Sequence, residues 1–140
     1  MERILEITIP LCPVTKKNNQ RICYNSNTGK PFIKPSYQYE QYERNCGLWL
    51  GKYRRKQGFP IMYPVEVECV FYMEKRNRVD LTNLLEAIDD ILVHYGVLLD
   101  DSYKIIVSHD GSRVRFDKEN PRTEIVIRKP EKKEVHHETI

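Results

Sequence analysis

The stretch DLTNLLEAIDDILVHYGVLLDD, residues 80–101, admits few folds. Leu81, Leu84, Leu85, Ile88, Ile91 and Leu92 recur at helical spacing, so they form one apolar stripe that must be buried. At about 100° per residue, Asn83, Glu86 and Asp90 fall together on the opposite face. Asp80 stands at the helix entrance, and Asp100 and Asp101 follow the break at Gly96. Oxygen donors gathered around one packed helix suit a hard cation such as Mg²⁺ or Mn²⁺. The plainer alternative makes Glu86, Asp89 and Asp90 a solvated face and Asp80 a residue favoured by the helix dipole. Glu86 and Asp90 are like charges four residues apart, a repulsion of roughly 0.2–0.5 kcal/mol. No lysine on the helix relieves it, so a cation or an outside partner is expected.

The rest of the chain predicts a single α+β domain, a mixed β-sheet packed against two main helices. Residues 3–9, RILEITI, alternate as a half-buried strand, and Pro10 and Pro13 end it. A polar segment with Lys16, Lys17, Asn18, Asn19 and Arg21 follows. Ile22–Tyr24 and Pro31–Ile33 flank a turn at residues 25–29 and read as a hairpin. Ser36 caps a helix expected to reach about Gln57, with Tyr39, Tyr42, Cys46, Trp49, Leu50 and Tyr53 toward the core. Gly47 and Gly51 either weaken it or allow close packing. Val65–Met73 is a strand covered on one face, 103–108 and 123–128 are the closing strands, and residues 110–121 form a polar loop. The domain spans residues 1–129, and residues 130–140 are expected to be a disordered charged tail, with His136 and His137 solvated.

Charge and cysteine content narrow the classes further. Residues 1–78 carry 14 Lys and Arg against 7 Asp and Glu, while residues 79–140 carry 9 against 13, so +7 and −4 give the net +3. A basic half beside an acidic helix suits action on a polyanion. Cys12, Cys23, Cys46 and Cys69 are scattered, which argues for reduced thiols rather than zinc or disulfides. No apolar run is long enough to cross a membrane, and MERILEITIP lacks a signal-peptide block, so a cytoplasmic setting is expected. Lys16, Lys17 and Arg21, and with them Lys75, Arg76 and Arg78 just before Asp80, are candidates for DNA backbone contacts. Arg54, Arg55 and Lys56 fit the end of their own helix, and His94 a structural place at the end of the acidic one. His109 has no evident partner. Tyr24, Phe32 and Tyr37 are expected to pack in the core rather than stack on bases.

Asp80-Leu81-Thr82-Asn83-Leu84, followed by Asp90, Gly96 and Asp100-Asp101, resembles the core motif of the RusA-type Holliday junction resolvases. That motif runs D-x-D-N-L-x-K, then a helix with a further Asp, a short turn and D-D. The proline-ended first strand, the Asn18-Asn19 segment and the long helix are similar too, so the likeness covers most of residues 4–128. It implies a homodimeric, magnesium-dependent endodeoxyribonuclease that nicks two strands of a four-way DNA junction symmetrically, in recombination and repair. Its catalytic carboxylates correspond to Asp80 and Asp101, with Asp90 beside them. Thr82 departs from the motif's second aspartate and Glu86 from its lysine, and Glu86 is placed to supply a carboxylate from one turn away. The implied metal set is Asp80, Asp101, Asp100 and Glu86, and the catalytic set Asp80, Asp101, Glu86 and Asp90. Two alternatives stay open: an inactive protein that binds branched DNA, and a nuclease for flaps or other branched DNA.

Overall fold

A computed structural model describes residues 2–130. The expected tail lies outside the described residues except for Pro130, and His136 and His137 lie outside with it. Seven strands and two helices follow in order: β1 (Arg3–Ile9), β2 (Arg21–Tyr24), β3 (Pro31–Lys34), α1 (Tyr37–Leu50), β4 (Val65–Met73), α2 (Leu81–His94), β5 (Ile106–Ser108), β6 (Arg113–Phe116) and β7 (Arg122–Arg128). The fold is α+β, with a mixed five-stranded sheet, a separate two-stranded sheet and two helices, as the patterning predicts.

Alternation sets the main sheet. Val65, Val67, Cys69 and Phe71 of β4 point inward, as do Thr123, Ile125 and Ile127 of β7 and Ile7 and Ile9 of β1. β7 lies antiparallel between β1 and β4. The apolar face is covered by Tyr39, Tyr42, Cys46 and Leu50 of α1 and by Leu84, Ile88, Ile91 and Leu92 of α2, in one core.

The second edge of β4 is shared. β5 pairs with its beginning, at Val65↔Ile106, and β6 with its end, from Val70↔Arg113 to Met73↔Phe116, both parallel. Between the two ladders, side chains take over from backbone. His109 Nδ1 donates to the Val67 carbonyl at 2.9 Å, and the Cys69 N–H donates to Ser112 Oγ at 2.9 Å. Buried backbone groups need such partners. Gly111 makes the crossing possible: its φ is +86°, and a Cβ there would sit 2.8 Å from Glu68 Oε1.

Several expectations need correction. The first helix stops at Leu50 and tightens into a 3₁₀ turn over Gly51–Arg55, which swings Tyr53 inward against Phe59, with ring centroids 4.8 Å apart. Of residues 103–108 only Ile106–Ser108 is strand, because Ser102 to Ile105 make a turn in which the Ile105 and Ile106 N–H groups both donate to the Ser102 carbonyl. The polar loop contains β6, whose RVRF sequence alternates but exposes all four residues at an edge. Trp49 is only partly buried against the core. Tyr24, Phe32 and Tyr37 are exposed: the first two lie in β2 and β3, a separate two-stranded sheet that no other strand joins among the described residues, and Tyr37 opens α1 on its outer side. Tyr37 carries the Arg21 guanidinium 3.5 Å over its ring.

Of the two readings of Gly47, close packing holds. A Cβ there would meet the Tyr95 hydroxyl at 2.7 Å, where that hydroxyl donates to the Glu43 carbonyl at 2.8 Å. Gly47→Ala should therefore destabilise by about 1–3 kcal/mol through overpacking, although alanine is the better helix former. Urea denaturation checks this, and a stabilised variant would show that Tyr95 yields freely.

Candidate active site

Helix α2 presents its acids in a row. Asp80 is the N-cap residue, and its Oδ2 accepts from Asn83 Nδ2 at 3.4 Å. Glu86 and Asp90 follow on the outer face, with the outside partners that their mutual repulsion called for. Lys17 Nζ stands 3.0 Å from Glu86 Oε2, and Lys16 Nζ donates to Asp90 Oδ2 at 3.0 Å. Both lysines come from the segment after β1, and both pairs are largely solvated. Such pairs contribute about 0–1 kcal/mol each and weaken with salt. Lys16 and Lys17, expected on a DNA backbone, thus lie on the acids of α2, in contacts weak enough to be exchanged.

Asp101 joins the far half of this row. The chain turns after α2, with Leu98 N–H on the Leu92 carbonyl and Leu99 N–H on the Ile61 carbonyl. Asp100 Oδ1 accepts from the Asp101 N–H at 2.9 Å. The neighbouring Ser102 side chain and this N–H hold the Asp100 carboxyl below its usual range. Asp101 is pushed up, first by desolvation and then by the charge of Asp90. Asp101 thus lies near enough to Asp90 to feel its charge, and Glu86 precedes Asp90 by one turn of the helix. Asp80 stands ten residues before Asp90, a rise of about 15 Å along the helix.

Asp90 and Asp101 are oxygen donors close enough for one to raise the other's proton affinity. They fit a hard divalent ion whose remaining positions go to water and phosphate. Among the described residues, no three Asp, Glu, His or Cys side chains converge into a finished cage.

The residue that the helical face misplaces is Asp89. It lies four residues after Leu85 and three before Leu92, so its phase belongs to the apolar stripe, and it is buried at 9% exposure. Its Oδ2 stands 2.8 Å from His109 Nε2, while Oδ1 has no partner among the described residues. Since His109 Nδ1 donates to Val67, this histidine ties α2 to the gap in the β4 edge. Burial raises the Asp89 carboxyl, and the hydrogen bond to Asp89 is the main cause that raises the His109 imidazole.

Basic groups frame the start of α2. Lys75, Arg76 and Arg78 are exposed on the linker to Asp80, and Arg76 lies 4.5 Å over the Phe116 ring of β6. Arg113 and Arg115 extend this strip from β6, a strand absent from the sequence reading. Arg21 is occupied elsewhere, paired with Glu40 and donating to the Pro35 carbonyl at 3.0 Å. Arg54 caps α2 rather than its own helix, through the His94 carbonyl at 2.8 Å. His94 itself is exposed, with its ring edge-on to Tyr95.

The Asp89–His109 pair carries a pH signature. Both folded-state values are raised, so both groups stabilise the fold fully below their unfolded values and lose that contribution as pH rises through the folded ones. For His109 the loss begins above about pH 6.5. Stability by urea denaturation should fall from pH 6 to 8.5. In Asp89→Asn, the asparagine amide donates to neutral His109 and this slope should flatten. His109→Ala should cost about 1–3 kcal/mol by stranding Asp89 and the Val67 carbonyl. An unchanged slope in Asp89→Asn would count against the pair.

Comparison with curated proteins gave no match to this chain. Residues 10–128 match the family model described as endodeoxyribonuclease RusA. The match takes in β2 through β7, both helices and every acid of the row. The chain belongs to the RusA endodeoxyribonuclease family.

Proposed function

We propose that this protein is a magnesium-dependent, structure-specific endodeoxyribonuclease that resolves four-way DNA junctions by paired symmetric nicks, in recombination and repair. Membership of the family makes it an endodeoxyribonuclease, a hydrolase of phosphodiester bonds. The observation that carries the finer reading is the acid row of α2, flanked at its start by the cations of the linker and β6. Polyanionic DNA is drawn to that strip, which leads directly to Asp80.

Asp80, Glu86, Asp90 and Asp101 are the proposed catalytic carboxylates, with Asp80, Asp100, Asp101 and Glu86 as metal donors and Asp90 beside Asp101. These carboxylates would hold Mg²⁺, or Mn²⁺ in its place, which when bound would acidify a water and neutralise charge on the phosphate. Lys16 and Lys17 hold Glu86 and Asp90 and release them when phosphate competes for the lysines. Lys75, Arg76 and Arg78 bind the backbone, and Arg21 positions the hairpin beside them. Asp80 precedes Asp90 by about 15 Å of helix, and on this reading a second copy or the DNA phosphates complete each site. A homodimer also supplies the two sites that symmetric nicking requires.

Purified protein with a labelled four-way junction and Mg²⁺ should give paired nicks. Asp101→Asn and Asp80→Asn should each lower the rate by roughly a hundredfold or more, the scale of one lost electrostatic contact in the transition state. An intact wild-type protein that binds the junction but cuts it with neither metal refutes the nuclease reading. Cutting of flaps in preference to junctions refutes only the choice of substrate.

Removing Arg113 and Arg115 by alanine should lower the slope of log affinity against log salt by about one unit per residue. Binding isotherms at several salt concentrations measure this, and an unchanged slope takes β6 out of the DNA surface.

A further inference from the structure

A cavity of about 280 Å³ opens beside the start of α2, between the segment after β1, the first turn of α1 and the linker from β4. Asn18, Asn19, Gln38 and Asn77 converge on it, with Arg78 at the side that leads to Asp80. All four residues are exposed, and none of their amides makes a side-chain hydrogen bond among the described residues, so each is free to meet a ligand. Thr15 also lines the cavity. It is 4% exposed, and its Oγ1 has no partner among the described residues. Buried hydroxyls without partners are rare, and one beside a cavity marks a place for a polar ligand atom or water. Val14, Met73 and Val79 add apolar surface to the lining.

Four amides offer donors and acceptors together, which is the complement of a nucleobase edge and not of a bare phosphate. The volume lies just below the roughly 300–1,000 Å³ of ordinary ligand clefts, a size for one nucleotide. Lys75 and Arg78 stand where its phosphate would lie. We infer that this cavity takes one unstacked nucleotide of the bound DNA strand, its base read by Asn18, Asn19, Gln38 and Asn77. The inference rests on the nuclease reading and deepens it. A base taken out of the stack here places its strand beside Asp80. Bases at a branch point are the least costly to withdraw, because their pairing and stacking are already disturbed.

The test uses the full chain without metal and a four-nucleotide single-stranded DNA, alongside the same oligomer with an abasic centre. Side-chain amide signals of Asn18, Asn19, Gln38 and Asn77 in nitrogen-15 spectra should shift with the first oligomer. The abasic one should bind about tenfold more weakly, the effect of one well-made base contact. Gln38→Ala and Asn77→Ala should each weaken the base-bearing oligomer several-fold and leave the abasic one unchanged. Equal affinity for both oligomers, or shifts confined to other residues, overturns the inference. Because these readouts need no cleavage, they decide it even if the junction assay fails.

Discussion

One strand edge governs the molecule. β4 is central, and its second edge has no continuous neighbour, because β5 covers only the start and β6 only the end. A buried edge with orphaned N–H and C=O groups would cost several kcal/mol. His109 and Ser112 fill the gap with side-chain groups, and Gly111 lets the chain pass over Glu68. Glu68 is in turn held by Arg128 of β7 at 2.7 Å, so both sides of β4 are braced at the same level. Since His109 also reaches Asp89, the repair of the edge fixes where α2 lies. The position of the acid row is a consequence of backbone satisfaction in the sheet.

The two attachments of α2 differ in strength. On its inner side are a buried stripe and the Asp89–His109 contact, which water cannot replace cheaply. Its outer side is held by the solvated Lys16 and Lys17 pairs, and unit charges at such separations interact by only about 1 kcal/mol in water. The helix is therefore fixed to the sheet, while the segment after β1 is held on the helix loosely. That segment also forms one wall of the amide-lined cavity. DNA phosphates competing for Lys16 and Lys17 would free Asp90 and Glu86 and move the cavity wall in one event.

Strands β1, β4 and β7 and helix α2 were legible because each buries one face, and a buried face leaves a period in the sequence. Failures came where that link is missing. RVRF has the right alternation, but at an exposed edge neither phase is buried, so nothing distinguished it from a loop. Tyr24 and Phe32 are large and apolar in a hairpin that joins no larger sheet, and composition alone cannot show that no partner arrives. The early stop of α1 depended on Gly51 acting with the inward pull of Tyr53, a tertiary effect. Asp89 is the instructive case. Its phase was apolar, and a carboxylate on a buried stripe requires a buried partner. The sequence held one unassigned histidine, His109, but only the sheet brings them within 2.8 Å. For the acid row the spacing gave the helix face and the pairing need correctly. The same spacing sets Asp80 about 15 Å of helix before Asp90.

Charge sums by halves of the chain describe this electrostatic design poorly. The basic first half sends Lys16 and Lys17 onto the acids of the second and lends Arg54 to the end of α2. The acidic second half returns Arg113 and Arg115 to the strip begun by Lys75 and Arg76. After this exchange, cations dominate around the start of α2, while past its far end Asp100 and Asp101 have no cationic partner among the described residues. A polyanion arriving from solvent feels the cations first, at distances set by the Debye length of about 8–10 Å. The carboxylates act only at contact, where a bound cation would reverse their repulsion for phosphate. On the proposed nuclease reading, attraction at one end and repulsion at the other would orient the strand along α2 before any base is touched.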